Sequence, residues 1–150
     1  MYVRPLLEYC SPVWAPVYKS DIDLIERVQR RFTKRLSGLS NLTYSDRLLK
    51  LNNADTLELR RLKLDLVMMF KIYYKLVDMD FSQFFCLSNY TSTRGHNLKL
   101  LKPVCNNNAR QFSFSCRRID AWNALPPAAV LASSVAVFKN CIHHVNFSNF

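Results

Sequence analysis

Glycine is almost missing from this chain: Gly38 and Gly95 are the only two in 150 residues. A loop that cradles phosphates needs several glycines for its tight turns, so Gly-rich nucleotide-binding loops are excluded. Acidic residues are also scarce, 11 Asp and Glu against 21 Lys and Arg. The five cysteines, Cys10, Cys86, Cys105, Cys116 and Cys141, are odd in number and irregular in spacing. That is no disulfide framework, and it suits a reducing, intracellular compartment. No apolar run approaches the roughly 18 residues of a membrane span. The opening MYVRPLLEYCSPVW lacks the apolar stretch of a signal peptide.

What is present is apolar and basic. Hydrophobic residues make up 49% of the chain, which argues against disorder. A net charge of +10 and a pI near 9.6 call for an acidic partner, nucleic acid before an anionic membrane. The length allows one domain or two small ones, with a real core.

The most organised stretch is Ser20 to Gly38, SDIDLIERVQRRFTKRLSG. Ser20 is a suitable helix N-cap, and Asp21, Asp23 and Glu26 suit the positive end of the dipole. Gly38 reads as the residue just past the C-terminus. At about 100° per residue, Leu24, Ile25, Val28, Phe32 and Leu36 share one side, expected to be buried by later helices. Arg27, Arg30, Arg31 and Lys34 share another arc, with Arg35 at its apolar edge. Glu26 stands four residues from Arg30 and is placed to pair with it. No acidic residue occurs between Arg27 and Arg35. The stripe reads either as a solvated face or as a surface that tracks phosphates.

Before this helix, Pro5 suits the first turn of a short helix over Leu6–Cys10, which Pro12 and Pro16 would break. Tyr9, Val13, Trp14 and Tyr18 read as core. After it, Thr43 and Asp46 open a short helix to about Leu51, and Asn52-Asn53 end it. Asp55 with Glu58 reads as a capping box for a long helix to about Val77. Its apolar residues run nearly all round, so it is expected to be buried on more than one side. Arg60, Arg61, Lys71 and Lys75 occupy the remaining arc, either snorkelling over the core or forming a second cationic strip. Residues 78–97 lack helical period and read as a connecting loop, with a helical turn at Phe81–Phe85. Leu98–Lys102 alternates apolar and basic residues, as a short extended segment does. From Arg110 a helix carries Phe112, Ile119, Trp122 and Leu125 until Pro126-Pro127. Ser133 or Ser134 caps a last helix with Val135, Phe138, Ile142 and Val145 on one face, and a frayed tail follows. The reading is mainly α: a thumb-like helical bundle over 1–77, a loop over 78–97, and a C-terminal segment over 98–150 with a short strand and two helices. Cys105, Cys116, His143 and His144 lack the spacing of a zinc site. Nothing in the spacing sets a Cys–His nucleophile, so no metal or other cofactor and no small-molecule substrate are expected.

Several stretches, in order, carry a resemblance. They are VRPLLEYCSPVWAP at 3–16, DIDLIERVQRRFTKRLSGL at 21–39, YSDRLLKLN at 44–52, LELRRLKLDLVMMFKI at 57–72, TRGHNLKLLKP at 93–103, RRIDAWNALP at 117–126 and SSVAVFKN at 133–140. The series resembles the C-terminal part, thumb and downstream segment, of reverse transcriptase polyproteins of non-LTR (LINE-type, jockey-like) retrotransposons. The resemblance implies a C-terminal fragment of an RNA-directed DNA polymerase with no catalytic role of its own. The family's metal-binding aspartates lie upstream in an Asp-Asp turn. This sequence has no Asp-Asp pair, only Asp21/Asp23 and Asp78/Asp80. The resemblance further implies a grip on the backbone of RNA, an RNA–DNA hybrid or a DNA duplex. Arg27, Arg30, Arg31, Lys34 and Arg35 are the expected phosphate contacts, with Arg60 and Arg61 as a second strip. The upstream polymerase palm is the expected protein partner; a membrane is not a partner. The resemblance places the protein in the nucleus and in cytoplasmic ribonucleoprotein. The alternative is a degenerate helical scaffold or protein-interaction module without nucleic-acid binding.

Overall fold

A computed structural model describes residues 3–89 and 95–150. The fold is mainly α, as the periodicities require, and the chain divides into two compact units, Met1–Leu62 and Lys63–Phe150. The division falls inside the long helix rather than after residue 77, so residues 78–97 belong to the second unit instead of linking two. Thr93 and Arg94 of that stretch lie outside the described residues.

In the first unit, α1 (Val3–Glu8) and α2 (Ser11–Trp14) are short because prolines partition the segment. Pro12 starts α2 rather than breaking α1, and Cys10 between them takes a left-handed φ of 51°. The expectation that Tyr9, Val13, Trp14 and Tyr18 are core is overturned. All four are exposed, Val13 by 84%. Helices of one turn or so have too little surface to cover such side chains.

Helix α3 (Lys19–Lys34) follows, starting after Tyr18 rather than Ser20 and ending before Gly38. Gly38 still takes a positive φ of 75°, in the turn that leads on. In α4 (Tyr44–Lys50) the Thr43 hydroxyl accepts the Asp46 N–H at 3.3 Å, the expected cap. Asn52 and Asn53 leave α4 with positive φ, which asparagine tolerates better than most residues. At the start of the long helix α5 (Leu57–Tyr73) the Thr56 hydroxyl accepts the Leu59 N–H at 3.2 Å. Leu57, Leu62, Leu66, Met69, Phe70 and Ile72 are all buried, so α5 is covered on more than one side.

The second unit gathers around the rest of α5. Phe70 stacks on Phe138 with centroids 4.4 Å apart, and the Tyr74 hydroxyl donates to the Val130 carbonyl at 2.8 Å. These contacts explain why the boundary precedes residue 77. Helix α6 (Phe81–Phe84) is the expected turn, capped by Asp80, which accepts the Ser82 N–H at 3.0 Å. That bond, foremost, holds the Asp80 carboxyl below its usual range. Leu98–Lys102 is extended, and Leu100 forms one antiparallel bridge with Leu87; no longer strand exists among the described residues. The Asn123 side chain continues this edge. Its amide donates to the Leu100 carbonyl at 2.9 Å and its oxygen accepts the Leu100 N–H at 2.8 Å.

The single helix expected from Arg110 is three short ones: α7 (Asn108–Gln111), α8 (Phe114–Arg117) and α9 (Ile119–Asn123). The Ser113 hydroxyl donates to the Arg110 carbonyl at 2.7 Å, a local bond that competes with helix continuation. Pro127 begins α10 (Pro127–Val130), and Ser134 caps α11 (Val135–His143). Phe138 and Ile142 are buried, and so is Phe147, which corrects the expectation of a frayed tail.

One ion-pair cluster lies within this unit. Asp65 on α5 is fully buried and binds Arg117 bidentately, with both bonds at 2.9 Å. Arg118 joins it at 3.2 Å. A buried carboxylate is tolerable only when paired and bonded in this way.

Candidate nucleic-acid interface

The roll of α3 about its axis decides what it presents. Its inward side is polar. Glu26 and Thr33 are buried at 4% and 3%. The Glu26 carboxylate accepts the Leu57 N–H at 3.0 Å, an orphan donor at the start of α5, and also accepts the Tyr44 hydroxyl. A negative group here suits the positive end of the α5 dipole. Burial, then the Glu26 bond, raises the Tyr44 phenol above its ordinary range. The Gln29 amide donates to the Tyr44 oxygen at 3.0 Å and to the Asp55 carbonyl at 3.2 Å. Thr33 accepts Arg47 Nε at 3.2 Å, while Arg47 Nη1 reaches the Leu42 carbonyl at 2.9 Å. Polar side chains therefore lock α3 to α4 and to the first residue of α5.

This roll corrects the expectation that the apolar side is buried. Leu24 is 61% exposed, and Val28 and Phe32 are 37% and 39% exposed. Val28, Phe32 and Leu36 line an open groove of about 360 Å³ together with Leu7, Leu48 and Leu57. Glu26 does not pair with Arg30. The acidic neighbour of Arg30 is Asp23, at 3.9 Å, and its guanidinium lies 5.2 Å from the Tyr44 ring centroid.

The same roll turns the cations outward. Arg27, Arg31, Lys34 and Arg35 are exposed. Among the described residues none of the four has an acidic group within ion-pair distance. Arg27, Arg31 and Lys34 run along a helix of 16 residues, with Leu24, Val28 and Phe32 on it as well, and Arg35 is its C-cap. At about 1.5 Å rise per residue, Arg27 and Lys34 stand roughly 10 Å apart along the axis.

The second strip is corrected. Arg61 is 2% exposed, so it has no surface to offer a phosphate. Arg60 is half-buried and binds Glu8 of α1, and this bond, foremost, raises its pKa further. A guanidinium already held by a carboxylate contributes little free positive field.

The residues missed by pattern reading are Glu26, Gln29, Tyr44 and Arg47. They belong to no surface patch but set which face of α3 is outward. The only signal for them was a carboxylate and an amide at helical spacing on a helix that did not need them for solubility.

The remaining chemistry-bearing groups do not converge. Among the described residues no three His, Cys, Asp or Glu side chains come together as a metal site would require. His143 and His144 are exposed with ring centroids 5.5 Å apart. Among the described residues no helix is long and apolar enough to cross a membrane. No protein-family model, curated protein or solved structure matches the chain.

Proposed function

We propose that the chain is a nucleic-acid-binding unit that grips the sugar–phosphate backbone of a template–primer duplex through α3, as a non-catalytic C-terminal fragment of a retrotransposon RNA-directed DNA polymerase. The observation that carries the reading is the outward, carboxylate-free array of Arg27, Arg31, Lys34 and Arg35. Arg30 lies at its margin, shared with Asp23. Such an array neutralises phosphates and releases their counterions, which gives affinity without reading sequence. By this reading the carboxylates for phosphoryl chemistry come from an upstream palm, which is also the protein partner, and the chain itself needs no cofactor. The nucleus and cytoplasmic ribonucleoprotein are the compartments that fit.

The test is charge reversal. Arg27→Glu, Arg31→Glu and Lys34→Glu together should abolish retention on an RNA–DNA hybrid while the far-UV circular dichroism stays unchanged. Undiminished retention would sink the proposal. Arg30 is left out because it packs on Tyr44.

One observation favours a second reading, a helical scaffold or protein-interaction module without nucleic-acid binding. It is the exposed apolar strip Leu24–Val28–Phe32 with its groove. That reading predicts no salt-dependent binding to polyanions even for the unaltered chain.

A further inference from the structure

Away from α3, the second unit brings two thiols together. The Sγ atoms of Cys105 and Cys116 are 3.8 Å apart. A disulfide needs about 2.05 Å, so the sulfurs must close by roughly 1.8 Å. The two differ in access. Cys116 is 4% exposed in α8, whereas Cys105 is half-buried in the loop before α7. Among the described residues no other two thiols touch: Cys10 and Cys86 are exposed and single, and Cys141 faces the Ala128 carbonyl at 3.9 Å.

We propose that Cys105 and Cys116 form an oxidisable dithiol that closes to an intramolecular disulfide by exchange with a low-molecular-weight disulfide. The inference is independent of the α3 reading. Cys105, the accessible thiol, loses its proton and attacks one sulfur of the small disulfide. The S–S bond breaks, and one small thiolate leaves with the electron pair. Cys116 then loses its proton and attacks Cys105 Sγ, expelling the second small thiolate. The two released thiolates take up the two protons. The protein dithiol is oxidised by two electrons and the small disulfide is reduced to two thiols. Desolvation, then the Cys116 thiol, raises the Cys105 pKa, so the exchange is slow at neutral pH and quickens as pH rises. The closed ring encloses α7 and ties the loop before it to α8. Arg117, the residue after Cys116, holds buried Asp65, so oxidation anchors a half-exposed loop next to the ion-pair cluster.

The experiment uses the full chain with oxidised glutathione at pH 8.5, alkylation of remaining thiols, and a tryptic digest read by mass spectrometry. Cleavage after Arg110 separates the two cysteines into Leu100–Arg110 and Gln111–Arg117. The expected product is these two peptides joined, with Cys10 and Cys86 carrying glutathione as mixed disulfides. The proposal is overturned if Cys105 stops at the glutathione adduct with Cys116 still alkylated. It is equally overturned if neither reacts while Cys10 and Cys86 do. In Cys116→Ser the Cys105–glutathione adduct should accumulate, since nothing remains to resolve it; an unmodified Cys105 there would show that it is not the attacking thiol.

Discussion

The carboxylate of Glu26 accepts the backbone N–H of Leu57, with its two oxygens at 3.0 and 3.3 Å. One helix thus caps another, and both partners are buried. Glu26→Ala leaves that N–H and the Tyr44 hydroxyl without their acceptor. We expect a loss of about 1–3 kcal/mol, the cost of an unsatisfied buried donor. Urea denaturation of the full chain checks it; a change within a few tenths would mean that the cap contributes nothing.

Asp65 accepts from both Arg117 and Arg118 in the second unit. Asp65→Ala leaves the Arg117 guanidinium buried without that carboxylate and should cost about 3–5 kcal/mol. Asp120, exposed and paired with Lys102, is the control. Asp120→Ala should change stability by less than about 1 kcal/mol. Comparable losses for the two variants in the same denaturation series would contradict the assignment.

The outward roll of α3 has its own stability signature. Phe138 is fully buried and Phe32 is 39% exposed. Phe138→Ala should cost about 3–5 kcal/mol, transfer and cavity together. Phe32→Ala should cost less than about 1.5 kcal/mol, since much of the ring already meets water. Equal losses in the same chemical denaturation would mean that Phe32 is core.

His96 sets a pH dependence. It is 4% exposed, with Nε2 3.1 Å from the Trp122 carbonyl and Nδ1 accepting the Leu98 N–H at 3.2 Å. This pair of bonds fits the neutral ring, Nε2 donating and Nδ1 accepting. Burial, foremost, lowers its pKa below the ordinary value, opposed by the bond to Trp122 and aided by Lys99. The unfolded chain therefore binds the proton more tightly than the folded one. The His96 contribution is fully present above about pH 6.5 and is lost as pH falls toward the lower folded value. Thermal melts should show the midpoint falling from pH 7.5 to 5.5, and His96→Leu should flatten that fall while lowering stability at pH 7.5. An unchanged slope in the variant would exclude His96 as its source.

Local signals in the sequence located most helices. Thr43 with Asp46 marked the start of α4, Ser134 that of α11, and the nearly all-round apolar α5 its own double burial. What periodicity could not supply was the direction α3 faces. Leu24, Val28 and Phe32 form its apolar stripe, yet Glu26, Gln29 and Thr33 meet specific partners in α4 and at the α5 terminus. Those partners are distant in sequence and have no periodic trace. The cationic stripe was legible because charge and spacing are local properties. Arg61 was not placed correctly, because a helix covered nearly all round leaves an arginine little open arc. Asp65 went unread because its partner Arg117 lies 52 residues away and leaves no local pattern.

The central claim concerns free positive charge on α3. Its most direct measure is the slope of log affinity against log salt for an RNA–DNA hybrid, taken for the unaltered chain and for Arg27→Gln, Arg31→Gln and Lys34→Gln combined. Every phosphate that the variant leaves unneutralised removes nearly one unit of slope, so the account predicts a variant slope shallower by about two to three. Identical slopes and affinities for the two proteins would contradict it.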